Sequence, residues 1–128
     1  MVVGLGIDVA SVERMSRALD RFGDRFWERI LTPEEREDLA ERRADRAVAL
    51  AGRFAAKEAF SKAIGAPKDV WFQDVAIRRS ASGAPELLAT GPALPYLEKL
   101  KVRRVLISIS HDAGVAAAVV VLESEALP

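Results

Sequence analysis

The sequence predicts an α+β fold in which an antiparallel sheet packs against a long helix. A strand pattern comes first, helical patterns fill residues 11–64, and mostly strand patterns follow, which is not the alternation of parallel βαβ units. The longest helical pattern ends at a clear stop signal, Gly65 followed by Pro67. Two apolar runs near the C-terminus are joined by a short turn, as in antiparallel pairs. The length suits one domain over residues 1–128.

The first two elements are a strand and a helix. Residues 1–9 are apolar and β-branched, with two glycines among them, and predict a strand that ends near Asp8. Ser11 is a suitable N-cap for a helix that runs to Phe22 and ends at Gly23. Apolar side chains recur in this helix at steps of three and four residues and give it one apolar face. They are Val12, Met15, Leu19 and Phe22.

Three further helices are predicted before residue 65. A short helix covers residues 25–30, with Asp24 as its candidate cap. Thr32, Pro33 and Glu35 form a capping-box pattern that starts a helix over residues 34–43, and its many charges predict an exposed position. Asp45 is the candidate cap of the long helix, which runs to residue 64.

The remaining elements are mostly strands. Residues 71–79 and 86–89 predict two strands joined by a hairpin-like turn over residues 81–85. A short helix over residues 94–100 precedes strands over residues 104–110 and 115–123, and Asp112, Ala113 and Gly114 join these two strands. Residues 115–121 are apolar on both strand faces, as in a strand that is covered on each side.

Composition excludes several classes of function. The charges of the 19 basic and 19 acidic residues cancel. Nucleic-acid-binding proteins usually have a basic excess, and because this sequence has none, we expect no nucleic-acid partner. Without cysteine there is no disulfide framework, Cys-based zinc site or thiol nucleophile. The longest apolar run, residues 114–122, is too short to span a membrane. The N-terminus lacks the positive region of a secretory signal, so we expect a cytoplasmic protein without a membrane partner.

The polar residues that stand at or inside apolar elements are the candidates for chemistry. Asp8 lies at the end of the first strand, Glu58 lies inside the long helix, and His111 ends a later strand. Two carboxylates from different elements, completed by phosphate oxygens and water, are a common Mg²⁺ site. Lys62, one turn after Glu58, is placed to meet phosphate charge.

The residues alone leave structural alternatives open. Glu58 and Lys62 could form only a helical ion pair, worth roughly 0.3–0.5 kcal/mol. Asp8 could be a turn residue, and His111 could simply be satisfied at a strand end. The consecutive residues Ser110, His111 and Asp112 do not form a catalytic triad, because neighbours in a strand point to opposite faces. No dinucleotide fingerprint or P-loop is present.

Three sequence blocks together resemble the motifs of the holo-[acyl-carrier-protein] synthases, which are small single-domain 4′-phosphopantetheinyl transferases. The blocks occur in that family's order and spacing, and the resemblance covers nearly the whole chain. They are Gly4-x-Gly6-x-Asp8 with Arg14, Gly52-Arg53-Phe54-Ala55-Ala56-Lys57-Glu58-Ala59-Phe60-Ser61-Lys62-Ala63, and Ser108-Ile109-Ser110-His111.

The resemblance implies a reaction and a metal. Such enzymes transfer phosphopantetheine from coenzyme A to a serine of apo acyl carrier protein and release adenosine 3′,5′-bisphosphate. By this likeness, Asp8, Glu58 and Lys62 are the catalytic residues, with Asp8 and Glu58 holding Mg²⁺ against the pyrophosphate. Either Glu58 or a metal-bound water accepts the serine proton.

The resemblance also assigns contacts with coenzyme A. His111 corresponds to a position in the coenzyme A pocket, and Gly83 and Pro85 match a Gly-x-Pro turn near the nucleotide; these two residues could equally be no more than a turn. Arg53 and Lys57 lie away from Glu58 around the helix, so we expect them to contact another part of the nucleotide or a neighbouring subunit. The full set expected at coenzyme A is Arg53, Ser61, Lys62, Gly65, Gly83, Pro85 and His111.

Two macromolecular partners are expected. Arg14, Arg17 and Arg21 form a basic stripe, which is either a solvated face or, by resemblance, the docking site for an acidic carrier protein together with Met15. The resemblance also implies a homotrimer with active sites at subunit interfaces. The apolar strand over residues 115–121 is compatible with a trimer but would look the same in the core of a monomer.

Overall fold

The computed structural model describes residues 1–40 and 46–125 and confirms the α+β fold. Its strands are β1 (Val2–Ser11), β2 (Val75–Arg79), β3 (Pro85–Ala89), β4 (Val102–Asp112) and β5 (Val115–Ser124). Its helices are α1 (Val12–Phe22), α2 (Asp24–Ile30), α3 (Pro33–Leu39), α4 (Arg46–Ala63) and α5 (Leu94–Lys99). Short 3₁₀ turns cover Phe72–Asp74 and Gly91–Ala93.

A three-stranded antiparallel sheet is the central layer, with strand order β1-β5-β4. β2 and β3 form a separate antiparallel hairpin. In the main sheet, Asp8 lies opposite Ala118, which lies opposite Ile109. The next row on the same face contains Ala10, Ala116 and His111. Asp8 and His111 therefore lie on one face of the sheet, on its two edge strands.

Helix α4 packs against this face, and β1 approaches the helix unusually closely. A β-carbon added at Gly6 would lie 1.8 Å from the carbonyl oxygen of Ala59, and one added at Gly4 would lie 2.5 Å from that of Ala63. Only glycine fits at such distances. The two glycines of the first sequence block thus allow the backbones of β1 and α4 to touch, and this contact places Asp8 beside the helix.

The opposite face of the sheet is uncovered in the single chain and is apolar along β1 and β5. Leu5, Ile7 and Val9 are 58–64% exposed, and their cross-strand neighbours on β5 are only half-buried. Within one chain, α4 covers only the face of β5 that carries Ala116, Ala118 and Val120, so cover on the second face of this strand stays a prediction. A contiguous apolar patch of this kind usually marks an interaction surface.

Several predicted caps are present. The Ser11 hydroxyl accepts a hydrogen bond from the Arg14 amide at the start of α1, and Gly23 ends that helix at φ 61°. Thr32 and Glu35 form the predicted capping box, with Glu35 Oε1 2.8 Å from the Thr32 amide. The predicted cap at Asp45 lies outside the described residues, as do residues 41–43 of the predicted charged helix.

Several caps, boundaries or environments differ from the predictions. Asp24, the predicted cap of α2, is instead its first residue and forms no side-chain cap. β1 continues past Asp8 to Ser11 because its last residues pair with β5. The stretch before Val75 forms a 3₁₀ turn rather than a strand, since the Asp74 carboxylate accepts a bond from the Trp71 amide at 2.8 Å. Helix α3 is not fully exposed: Glu35 and Leu39 are buried, because the helix packs against β2 through them.

Candidate active site

An ion pair between Asp8 of β1 and Lys62 of α4 joins two of the predicted catalytic residues. Lys62 Nζ lies 2.9 Å from Asp8 Oδ1 and 3.1 Å from the carbonyl oxygen of Ile7. The Asp8 side chain is mostly buried, whereas about half of the Lys62 side chain is exposed. The cation thus bridges the helix and strand backbones while remaining accessible from solvent.

Glu58 lies one turn before Lys62 and is half-buried. Burial raises the pKa of the Glu58 carboxyl, the negative charge of Asp8 raises it further, and the Lys62 ammonium opposes both effects. Asp8 is thus near enough to Glu58 for its charge to act on the Glu58 carboxyl. Lys62 forms its ion pair with Asp8 on β1. The alternative that Glu58 and Lys62 form only a helical ion pair with each other is therefore not what the structure has.

Asp8 and Glu58 have the chemistry that a Mg²⁺ site needs. Mg²⁺ prefers oxygen ligands and is usually held by one or two carboxylates together with substrate phosphates and water. In residues 1–40 and 46–125, no group of three histidine or acidic side chains is placed to hold a metal by itself. Two carboxylates therefore fit an ion that takes its remaining ligands from a phosphate substrate and water.

A cavity of about 300 Å³ lies on the other side of α4, between that helix, β4 and the β2–β3 hairpin. Four of the residues expected at coenzyme A line it: Arg53, Gly83, Pro85 and His111. Arg78 and Arg79 of β2 also line this cavity, and the sequence reasoning did not select them. Three arginines and a histidine around one cavity favour an anionic ligand.

A second cavity, of about 240 Å³, lies next to Glu58. Ser61 lines it together with Glu58, so the structure brings these two residues to one space. Its apolar wall includes Trp71 and Phe72, two further residues that the sequence reasoning missed. Trp71 is exposed, and no pattern in the sequence around it indicates that it lines a cavity.

Gly65 lies outside both cavities. It follows the end of α4 with φ 96°, a backbone conformation that glycine adopts readily. Gly65 thus lies where the helix ends, and neither cavity includes it.

Lys57 was expected to contact another part of the nucleotide or a neighbouring subunit, but its ammonium group lies inside its own chain. It is 3% exposed and forms an ion pair with buried Glu35. Burial lowers the pKa of the Lys57 ammonium, and the charge and hydrogen bond of Glu35 oppose that effect. Contact with a neighbouring subunit is therefore excluded for Lys57, because surrounding elements of its own chain enclose it. Arg53 is also buried, but it lines the larger cavity.

The basic stripe lies on exposed helix α1. Arg14, Arg17 and Arg21 are exposed, and Arg17 pairs with Glu13 at 2.5 Å. The Arg21 guanidinium lies over the ring of Phe22, which is itself exposed. Met15, expected in the same docking surface, is 7% exposed and packs in the core. Met15 therefore supports the helix from inside and is not part of its outer surface.

Comparison with known proteins identifies the family. The sequence model of the 4′-phosphopantetheinyl transferase superfamily matches residues 4–120 of this chain. The chain belongs to this superfamily. Its similarity to other members of the phosphopantetheinyl transferase superfamily extends over almost its full length, as the following relatives show.

Curated relatives and solved structures agree on one type of transferase. The holo-[acyl-carrier-protein] synthase of Solibacter usitatus is 44% identical over 126 residues, covering 97% of this chain and 100% of that protein. The one from Solidesulfovibrio magneticus is 49% identical over 125 residues, with 96% and 99% coverage. These similarities confirm the resemblance found in the sequence blocks.

The fold agrees as well. The crystal structure of the Neisseria meningitidis holo-[acyl-carrier-protein] synthase has a TM-score of 0.86 at 39% identity, covering 97% of this chain and 100% of that one. The Helicobacter pylori enzyme in complex with coenzyme A has a TM-score of 0.78 at 36% identity, with 93% and 99% coverage. The protein is thus an enzyme of the phosphopantetheinyl transferase type.

Proposed function

We propose that this enzyme transfers 4′-phosphopantetheine from coenzyme A to a serine of apo acyl carrier protein, in one transferase domain and with Mg²⁺. The observation that carries the proposal is the convergence of Asp8, Glu58 and Lys62 where β1 crosses α4. Such an arrangement suits phosphoryl transfer, which depends mainly on positioning and on neutralising charge.

Each residue has a distinct role in this proposal. Asp8 and Glu58 would hold Mg²⁺, which when bound supplies positive charge to the pyrophosphate oxygens. Lys62, exposed at its tip, would contact the pyrophosphate by exchanging its bond with Asp8 for phosphate oxygens. Glu58 would also be placed to accept the serine proton, directly or through a bound water.

The bond changes are those of a substitution at phosphorus. The serine oxygen forms a bond to the phosphorus that carries pantetheine, and the bond from that phosphorus to the bridging oxygen breaks. The serine proton passes toward Glu58 or water, and the second product is adenosine 3′,5′-bisphosphate. The cavity lined by Arg53 and His111 would hold the anionic nucleotide half of coenzyme A, near the Gly83–Pro85 turn.

We further propose a homotrimer that assembles through the uncovered apolar face of the sheet. Leu5, Ile7 and Val9 present the most exposed apolar row of the main sheet on β1. Asp8 lies on this same edge strand but on its other face, so a neighbouring chain packed on Leu5, Ile7 and Val9 would be separated from Asp8 only by β1. We also propose that Arg14, Arg17 and Arg21 dock the acidic carrier protein, because they form an exposed basic stripe on a structured helix. Among the described residues, none of the helices has the length and hydrophobicity of a membrane span.

Mass spectrometry of the carrier protein tests the transfer. The enzyme, coenzyme A, Mg²⁺ and apo carrier are mixed, and we expect the carrier to gain the mass of one phosphopantetheine group. EDTA should prevent this gain, and Glu58→Gln should greatly reduce it. Glu98→Gln, the same change at an exposed position on α5, is the matched control and should react normally. An unmodified carrier with the wild-type enzyme would contradict the proposed function.

A further inference from the structure

Glu35 and Lys57 form a buried ion pair to which the proposed reaction gives no role. The Lys57 ammonium donates to Glu35 Oε1 at 2.5 Å, to the Ile30 carbonyl at 2.6 Å and to the Phe72 carbonyl at 3.0 Å. An ammonium group has three hydrogens, so these three acceptors use all of them. Lys57 is therefore fully engaged inside the chain and has no hydrogen left for a phosphate.

Glu35 joins the same cluster to two more segments. Its Oε1 accepts from the Thr32 amide at 2.8 Å, and its Oε2 accepts from the Ile77 amide of β2 at 3.0 Å. Arg53 Nε lies 3.9 Å from Oε2. One carboxylate thus connects the start of α3, strand β2 and two residues of α4, and its side chain is completely buried.

The cluster lies immediately beside the candidate chemistry. Lys57 precedes Glu58 in α4, and both line the cavity of about 240 Å³ whose wall also contains Phe72. Successive residues of a helix point about 100° apart around the axis. Holding Lys57 therefore restrains the rotation of α4 about its axis near this residue and, with it, the direction of Glu58. The bond to the Phe72 carbonyl fixes the facing wall of the same cavity.

A role in stability alone explains this pair poorly. Removing two charges from water costs several kcal/mol for each ion, and an apolar pair of similar volume is often equally or more stable. The ion pair and its four further hydrogen bonds hold the two side chains in one orientation, because each bond constrains the angle and distance of its partner. We propose that Lys57, held by Glu35, is a positioning residue that keeps Glu58 oriented for the transfer reaction. This inference rests on the proposed function.

Lys57→Met is the first test, because methionine keeps most of the volume and leaves Glu35 its bonds from Thr32 and Ile77. We expect kcat to fall about 100-fold, as for a misplaced reacting group, and the Mg²⁺ concentration for half-maximal rate to rise. The KM for coenzyme A should stay within about threefold, because the Arg53 and His111 cavity is retained. Rates are expressed per folded molecule, with the folded fraction taken from thermal unfolding.

Arg104→Met is the matched control. Arg104 forms an ion pair with Glu123 at 3.0 Å on the surface, away from both cavities, so the control removes an exposed pair by likewise replacing its cation with methionine. It should leave kcat unchanged. If Lys57→Met is too unstable, the double variant Glu35→Gln with Lys57→Met removes both buried charges, and glutamine still suits the capping-box position. The same loss of kcat is expected.

A readout without catalysis separates this inference from the proposed function. Calorimetry measures Mg²⁺ binding in the presence of adenosine 3′,5′-bisphosphate, and hydrogen exchange follows the amides of α4. Weaker Mg²⁺ binding and faster exchange around Glu58, at an unchanged folded fraction, support positioning. A Lys57 variant with normal kcat and Mg²⁺ binding would overturn it. A wild-type enzyme that transfers nothing would instead refute the proposed function, while the binding and exchange measurements would still decide whether Lys57 orients Glu58.

Discussion

Gly6 lies directly beneath Ala59, so close that a β-carbon on Gly6 would come within 1.8 Å of the Ala59 carbonyl oxygen. Gly6→Ala must therefore push β1 and α4 apart. We expect a loss of about 3 kcal/mol in the free energy of unfolding, because overpacking at backbone contacts is costly. Urea unfolding measures this loss.

Gly23→Ala is the matched control for that experiment. Its φ is 61°, but no atom lies within 4 Å of an added β-carbon, so only conformational strain of about 1 kcal/mol is expected. Equal losses in the free energy of unfolding for Gly6→Ala and Gly23→Ala would show that the close approach of β1 and α4 does not determine the cost of Gly6→Ala.

The raised pKa of Glu58 predicts a pH-dependent cost in stability without metal. A carboxyl whose pKa is higher in the folded state binds more protons when folded, so stability falls as pH rises from the unfolded pKa through the folded one. Glu58→Gln lacks this effect. In EDTA, thermal unfolding from about pH 4 to about pH 8 should show the wild type losing stability relative to the variant.

Mg²⁺ should reverse that difference for the wild type and leave the variant nearly unchanged, because the ion binds the ionised carboxylate. The result would contradict the assignment of Glu58 if wild type and variant kept a constant stability difference across the pH range and responded equally to Mg²⁺.

Arg14→Glu tests docking of the carrier protein. Reversing one charge of the exposed stripe should raise the KM for the acidic carrier about tenfold by weakening electrostatic attraction, with the KM for coenzyme A unchanged. Steady-state assays that vary each substrate measure the two effects. Lys99→Glu makes the same charge change on α5 and should alter neither constant, whereas equal losses for both substrates with Arg14→Glu would oppose a docking role.

Ile7→Glu tests assembly through the exposed sheet face. A charge in the centre of this apolar face should dissociate the proposed trimer, which light scattering with size-exclusion chromatography detects. Leu88→Glu is the control, because Leu88 is an exposed apolar strand residue on the separate hairpin. If the wild type is monomeric at all concentrations, or if Ile7→Glu has no effect on mass, this face is not the interface.

Local patterns predicted much of the fold. The Ser11 and Thr32 caps and the stop after α4 depend on neighbours within a few residues, and the structure has them. The strand boundary at Asp8 was wrong because β1 is prolonged by pairing with β5, more than a hundred residues later. Such pairing depends on tertiary contacts that no local pattern contains.

The candidate site was predicted less evenly. Sequence blocks selected Asp8, Glu58 and Lys62, and the structure brings them together, but the charge of Glu35 suggested exposure when its side chain is buried. Charged residues are rarely buried without a partner, and the partner, Lys57, is 22 residues away. Trp71 and Arg78 were missed because nothing in their own segments indicates the cavities that they line.

The two faces of strand β1 have different neighbours, so the number of residues in this strand cannot change by one. Asp8 and the two glycines face α4, while Leu5, Ile7 and Val9 face outward. Inserting one residue between Gly6 and Asp8 would exchange the two faces beyond that point, turning the carboxylate away from the helix and an apolar side chain toward it. Insertions and deletions should therefore be tolerated in this strand only in pairs.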